Sequence, residues 1–301
     1  MFYGSLVPLV TPFRDSQLDE LALGQLIDWH VDSGTHGIVI TGTTGEPSSL
    51  SFEERARVIE VAVSAANGRI PILAGTGSVN HAESLALTAH GQRVGADAIV
   101  LIIPYYVRPS QAGLYGHFRA LAESTSLPVM LYNIPGRAAA NLEPDTLMRL
   151  ARDCPNIIGV KESNKDFEHV ARVFHRTRQL YRPFHVYSGI ELLCFPVLAL
   201  GGSGMVSATG NVMPREVAQL YNLCRDGQWD AARELHYFLT PINDALFLES
   251  NPTPAKTALG WMGKIEPEIR LPLAQLSDVN QAKLRATMAS YNLLPVSVPA
   301  G

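Results

Sequence analysis

The stretch Asn156-Ile157-Ile158-Gly159-Val160-Lys161-Glu162-Ser163-Asn164 decides how the chain is read. Its short apolar run has the character of a strand buried on both faces, and it stops abruptly at a lysine. Such a strand carries a lysine only at its tip, or where the amine has a task that outweighs its desolvation. The chain has five lysines, at 161, 165, 256, 264 and 283, against nineteen arginines, and only Lys161 ends a run of this kind. Taken alone, a strand end favours a side chain that snorkels into solvent. The sharper reading is a desolvated amine serving as a Schiff-base nucleophile.

Working outward, the same pattern recurs seven more times. Strand-like runs at Ser5–Val10, Gly37–Thr41, Ile70–Ala74, Ala98–Ile103, Val129–Tyr132, His185–Tyr187 and Met205–Ser207 flank the central Ile157–Lys161. Between and after them lie amphipathic segments of helical length, near 18–33, 52–66, 80–94, 111–125, 143–153, 166–181, 190–200 and 214–226. Ser51-Phe52-Glu53-Glu54 is a capping box, and Ser110 and Asn211 are predicted N-caps. Hydrophobic strands alternating with helices predict a parallel sheet covered on both faces. Eight such units suit a (β/α)₈ barrel better than a doubly wound sheet, because nothing marks a switch in strand order. Periodicity leaves an open α/β sheet as the alternative. After residue 227 the pattern is helix only, at 229–249, 254–262 and 279–292, with proline-bearing joints between the pieces. The expected organisation is a barrel domain over 1–226 and a helical region over 227–301 packed on it.

Composition narrows the function classes. In 301 residues, 47% hydrophobic and 17% charged with a formal net charge of −4, no basic footprint exists for nucleic acid or an anionic membrane. No apolar run is long enough to span a bilayer, and the start shows no secretory leader. Three cysteines, at 154, 194 and 224, are odd in number and share no short spacing, which predicts reduced thiols in a cytoplasmic protein.

A parallel barrel works at the C-terminal tips of its strands. Those tips read Thr41-Gly42-Thr43-Thr44-Gly45-Glu46, Ala74-Gly75-Thr76-Gly77-Ser78, Pro104-Tyr105-Tyr106, Tyr132-Asn133-Ile134-Pro135-Gly136-Arg137, Lys161, Ser188-Gly189 and Ser207-Ala208-Thr209. Hydroxyls, glycine-rich backbone amides, tyrosines and one arginine therefore surround the lysine. Each has a plainer reading: Thr43 and Thr44 as turn residues, Arg137 as a surface side chain. Strand alternation lets at most one of Tyr105 and Tyr106 enter a site, and it turns Glu162 away from Lys161 towards the helices. Gly42-Thr43-Thr44-Gly45 is no P-loop, and Gly75-Thr76-Gly77-Ser78 lacks the third glycine of a dinucleotide fingerprint. Nine histidines show neither His-x-His nor His-Glu-x-x-His, so no metal site is expected, and no Gly-x-Ser-x-Gly elbow occurs.

Gly42-Thr43-Thr44-Gly45-Glu46, Tyr132-Asn133-Ile134-Pro135-Gly136-Arg137 and Gly159-Val160-Lys161-Glu162 resemble the signatures of the dihydrodipicolinate synthase / N-acetylneuraminate lyase family. The resemblance runs from Pro8-Leu9-Val10-Thr11-Pro12-Phe13 through Pro104-Tyr105-Tyr106 to Asn251-Pro252-Thr253-Pro254-Ala255-Lys256. It implies a (β/α)₈ barrel with a C-terminal helical extension, a homotetramer built as a dimer of dimers, and a lyase that needs no metal or organic cofactor. Lys161 is then expected to form a Schiff base with pyruvate, and Tyr132 to be the general acid/base. Thr43, Thr44 and nearby amides would hold the pyruvate carboxylate. Thr44 would link Tyr132 to Tyr106 of a neighbouring subunit in a proton relay, while Gly189 and Val206 line the pocket.

Arg137 bears on the second substrate, since a guanidinium suits a bidentate carboxylate. The resemblance implies condensation of pyruvate with aspartate semialdehyde first. Cleavage of 2,4-dihydroxyhept-2-ene-1,7-dioate to pyruvate and succinate semialdehyde comes second, a sugar-acid lyase third, and a non-catalytic pyruvate binder last. Pro47, Ala138 and the Ile190-Glu191 pair depart from the synthase pattern. At positions resembling the lysine effector pocket of some synthases stand Phe52 and Val79, so feedback inhibition by lysine is expected to be weak or absent.

Overall fold

Each apolar run becomes a strand, because residues alternating across the pleat find an apolar layer on either side. In the computed structural model, which describes residues 2–295, the strands are Gly4–Pro8 (β1), Gly37–Ile40 (β2), Ile72–Gly75 (β3), Ala98–Ile102 (β4), Val129–Asn133 (β5), Ile157–Glu162 (β6), His185–Ser188 (β7) and Gly204–Val206 (β8). All pair in parallel with their sequence neighbours, and β1 pairs with β8, so the sheet closes. The architecture is a (β/α)₈ barrel, and the open-sheet alternative falls.

Alternation divides the core into two layers. Leu6, Val39, Leu73, Val100, Met130, Tyr132, Tyr187 and Val206 fill the barrel interior. Ile38, Ile40, Ile72, Ile99, Leu101, Leu131, Val160 and Val186 point outward into the larger layer beneath the helices. Each fully buried aliphatic side chain of this kind contributes about 1.5–3 kcal/mol. The register of β5, β6 and β7 places Tyr132, Lys161 and Tyr187 side by side on the inner face. Their neighbours Asn133 and Glu162 therefore face the helices.

The helices following β1 to β8 are Glu20–Asp32 (α1), Phe52–Ala66 (α2), His81–Val94 (α3), Gln111–Glu123 (α4), Pro144–Asp153 (α5), Phe167–Thr177 (α6), Cys194–Ala199 (α7) and Pro214–Arg225 (α8). The Ser51 capping box forms in full, with Ser51 Oγ accepting from the Glu54 amide and Glu54 accepting from the Ser51 amide. Ser110 caps α4 through the Gly113 amide at 3.2 Å. Asn211 does not cap a helix. Its carboxamide donates to the carbonyls of Pro8 at 2.8 Å and Ala208 at 3.0 Å and accepts from the Val10 amide at 3.1 Å, while α8 starts only at Pro214. The asparagine side chain satisfies loop backbone that no strand reaches, a need that outranks the local cap. The predicted 166–181 helix stops at Thr177, and Gln179 and Leu180 close it with tighter i→i−3 bonds.

Beyond Arg225 the chain forms Trp229–Ala245 (α9), Thr253–Trp261 (α10) and Asp278–Ser290 (α11). The turn between α9 and α10 and the start of α10 lie against the barrel mouth, where Asn251 and Lys256 are buried. Of the expected 1–226 and 227–301 regions, residue 1 and residues 296–301 lie outside the described residues. Among the described residues no helix is long and apolar enough to cross a membrane.

Candidate active site

Lys161 occupies the penultimate position of β6 and points inward, only 6% exposed. Its Nζ lies 4.0 Å from the centroid of the Tyr132 ring, its register partner on β5. That position over the ring face is a cation–π contact. Among the described residues no carboxylate reaches ion-pair distance of it. The room it occupies exists because residue 189 is glycine. A Cβ there would sit 2.8 Å from Lys161 Cε and 2.0 Å from Ser163 Oγ. Lys165, by contrast, is exposed.

The tip of β2 makes a cradle. Thr41 has φ 51°, an outlier for a β-branched residue, and it is fixed by Oγ1 donating to the Gly75 carbonyl at 2.8 Å. Thr43–Gly45 then forms one 3₁₀ turn, closed by Glu46 at φ 55°. Thr11 Oγ1 donates to the Gly45 carbonyl at 2.7 Å. Buried Thr44 accepts through Oγ1 from Asn251 Nδ2 at 2.9 Å. Lys256 Nζ meets Glu46 Oε1 at 2.6 Å, both side chains fully buried. The turn is thus held from the loop after β1, from β3, and from Asn251 and Lys256 on either side of the α10 N-terminus. A strained turn persists only where its surroundings over-determine it.

Arg137 sits on a one-turn helix, Pro135–Ala138, directly after β5. Its guanidinium is exposed at the rim and donates to the Asn251 carbonyl at 3.3 Å. One cavity is lined by Lys161, Tyr132, Thr43, Thr44, Arg137, Gly189 and Val206 together. Seven of the eight predicted site residues therefore share it. Tyr106 does not. It is 89% exposed in the loop after β4, with φ 71°, and does not line the cavity. The alternation argument for Tyr105 and Tyr106 fails because β4 ends at Ile102. Half-buried Tyr105 instead lines a space on the other side of Tyr132, with Thr43 and Arg55.

Behind Lys161, on the outer face, lies a polar cluster. Asn133 Nδ2 donates to both Glu162 oxygens at 3.0 and 3.1 Å, and His169 Nε2 on α6 lies 3.3 Å from Glu162 Oε2. Burial pulls the His169 imidazole down, but the Glu162 hydrogen bond and charge outweigh it, and the ring is held above its ordinary value.

Three residues of the cavity and its supports have roles that escaped sequence reasoning. Asn251 and Lys256 were legible as the two ends of a motif but not in their roles, since their partners Thr44 and Glu46 are some two hundred residues away in sequence. Glu191 shares the cavity with Lys161, and its role was missed because it sits three residues past Ser188, the end of β7. The proline joint before α10 was the available hint for the first two.

The model of the Dihydrodipicolinate synthetase family matches residues 1–291. The chain is 45% identical over 294 residues to a 4-hydroxy-tetrahydrodipicolinate synthase of Thermodesulfovibrio yellowstonii, covering 98% of this chain and 100% of that one. Among solved structures, dihydrodipicolinate synthase from Aquifex aeolicus superposes with a TM-score of 0.95 at 44% identity, covering 99% of this chain and 100% of that one. An enzyme from Cyanidioschyzon merolae with lysine bound superposes with a TM-score of 0.92 at 35% identity, covering 97% of this chain and 99% of that one.

Proposed function

The chain belongs to the dihydrodipicolinate synthetase family, and from that membership we propose that it condenses pyruvate with aspartate semialdehyde as a 4-hydroxy-tetrahydrodipicolinate synthase. The observation that carries the reading is one cavity in which a buried lysine faces a tyrosine, a hydroxyl-and-amide cradle and a rim arginine.

In this reading the neutral Lys161 amine adds to the ketone carbon of pyruvate, and loss of water leaves a protonated imine. Tyr132, in contact with the amine, gives and takes the protons that this addition and dehydration require. Thr43, Thr44 and the amides of their turn hold the pyruvate carboxylate, with Gly189 and Val206 forming the opposite walls. Removal of a C3 proton gives the enamine, whose carbon attacks the aldehyde. The substrate's own amine then displaces Lys161 and closes the ring. Arg137 at the rim takes the distal carboxylate.

Tyr106 is exposed on its own chain, and in this reading it enters the cavity of a neighbouring copy in a homotetramer, where it extends the relay through Thr44. Feedback inhibition by lysine is expected to be weak or absent. Phe52 and Val79 offer that pocket apolar surface.

Borohydride reduction in the presence of pyruvate, followed by peptide mapping, tests the chemistry. The adduct is expected on Lys161; its absence, or its appearance on Lys165, would sink the reading. Product formation from aspartate semialdehyde, against turnover of succinate semialdehyde, tests the choice of aldehyde.

A further inference from the structure

Glu191 opens the turn after β7 and folds its side chain back into the cavity of Lys161 and Arg137. Its carboxylate is buried, and Oε1 accepts from the Ala208 amide at 2.8 Å and the Ser207 hydroxyl at 3.4 Å. Among the described residues no lysine, arginine or histidine nitrogen reaches ion-pair distance of it. Burial pushes the carboxyl above its ordinary range, while the Ala208 amide, the Lys161 charge and the Ser207 hydroxyl favour the ionised form. A buried carboxylate whose one favourable charge, that of Lys161, lies beyond ion-pair distance costs stability, and one facing a substrate cavity is placed to take a closer partner from the substrate.

A charge count of the filled cavity says which substrate. Lys161 as a protonated imine and Arg137 as a guanidinium supply two cations. Against them stand the pyruvate carboxylate, the aldehyde's carboxylate and Glu191 in its ionised form, the form that the Ala208 amide and the Lys161 charge favour. One anion is left over, and an ammonium on the aldehyde cancels it. An aldehyde of the same length without the amino group leaves the excess charge in a desolvated site, where it costs far more than in water.

We propose that Glu191 determines specificity for the second substrate: its carboxylate receives the ammonium of an amino-aldehyde whose carboxylate Arg137 holds. The inference rests on the lyase reading above and goes beyond it, because it separates aspartate semialdehyde from succinate semialdehyde by a residue rather than by family resemblance. The amino group is also the group that must later displace Lys161: once the ammonium has given a proton to the Glu191 carboxylate, the neutral amine adds to the imine carbon and the Lys161 amine leaves, so holding it there serves ring closure as well as selection.

The test compares wild type with Glu191→Gln and Glu191→Asp. Gln keeps an acceptor for Ala208 and removes only the charge; Asp keeps the charge on a shorter arm. Three readouts are taken: the KM for aspartate semialdehyde, the Ki of succinate semialdehyde as a competitor, and borohydride trapping with pyruvate alone. Losing a charge-assisted hydrogen bond should raise the KM in Glu191→Gln about 10- to 100-fold. The Ki should fall or stay level, and trapping should persist. Glu191→Asp should keep the preference for the ammonium-bearing aldehyde. Equal loss for both aldehydes overturns the proposal, because it makes Glu191 a clamp on Ala208. An unchanged KM-to-Ki ratio overturns it too, as does loss of preference in Glu191→Asp or loss of trapping in Glu191→Gln. Failure of trapping in wild type instead strikes the lyase reading, whatever Glu191 does.

Discussion

Two lysines are buried at the mouth of this barrel, and each lies over an aromatic ring. Lys161 Nζ is 4.0 Å from the Tyr132 centroid and Lys256 Nζ is 4.1 Å from that of Phe13. They differ in one respect. Lys256 is clamped by Glu46 at 2.6 Å, whereas Lys161 has no carboxylate within ion-pair distance among the described residues. The amine tied to a carboxylate is a fastener between α10 and the Thr43–Gly45 turn; the untied one is the amine proposed above to react.

The strongest way to break this contrast is to remove each amine in turn. Lys161→Met should eliminate turnover and the pyruvate adduct while leaving the melting temperature level or higher, because a desolvated, unpartnered amine is replaced by a side chain of similar volume. Lys256→Met should do the opposite to stability. It leaves Glu46 buried and uncompensated, at a cost of about 3–5 kcal/mol, and Glu46→Gln on the same background should recover part of it. Chemical denaturation checks both. A Lys256→Met protein as stable as wild type would end the distinction.

Gly189→Ala is the next largest effect, and it isolates geometry from charge. The added methyl would need the space of Lys161 Cε and Ser163 Oγ, so the lysine must turn away from Tyr132. Borohydride trapping should drop sharply with the secondary structure intact. Gly68→Ala is no fair control, because its φ is 71°. Gly136→Ala is a fair one, since nothing lies within 4 Å of its Cβ, and it should leave trapping unaltered.

The difference between the two lysines also marks what the sequence could reveal. Lys161 was visible because a strand tip is a local event: an apolar run, a period of two, and a charge where the run stops. The same period placed Tyr132 on the inner face beside it and turned Glu162 outward. The role of Lys256 was invisible because its meaning lies in Glu46, across the whole barrel. Asn211 was misread for the same reason: its partners on Pro8 and Val10 are likewise brought to it only by closure of the barrel. Tyr106 was legible only as a motif, since the loop that carries it leaves β4 too early for alternation to aim it.

The subtlest test concerns Glu162, the carboxylate adjacent to Lys161 in sequence that does not serve it. Its charge goes to His169 at 3.3 Å. Since Glu162 holds the folded-state His169 above the ordinary imidazole value, the protonated ring contributes stability that is fully present below the unfolded value of 6.5. That contribution is lost as pH rises through the raised folded value. Melting temperatures of wild type should therefore fall slightly across that window, and in Glu162→Gln that fall should be lost or reversed, because burial, which lowers the ring, is then opposed only by Glu143 and Asp166. A proton NMR titration of His169 should show the same shift directly. Meanwhile the pH dependence of pyruvate trapping should be the same in Glu162→Gln as in wild type. If the trapping profile moved with Glu162, the carboxylate would be acting on the amine through the strand, and Lys161 would no longer count as the untied lysine of the pair.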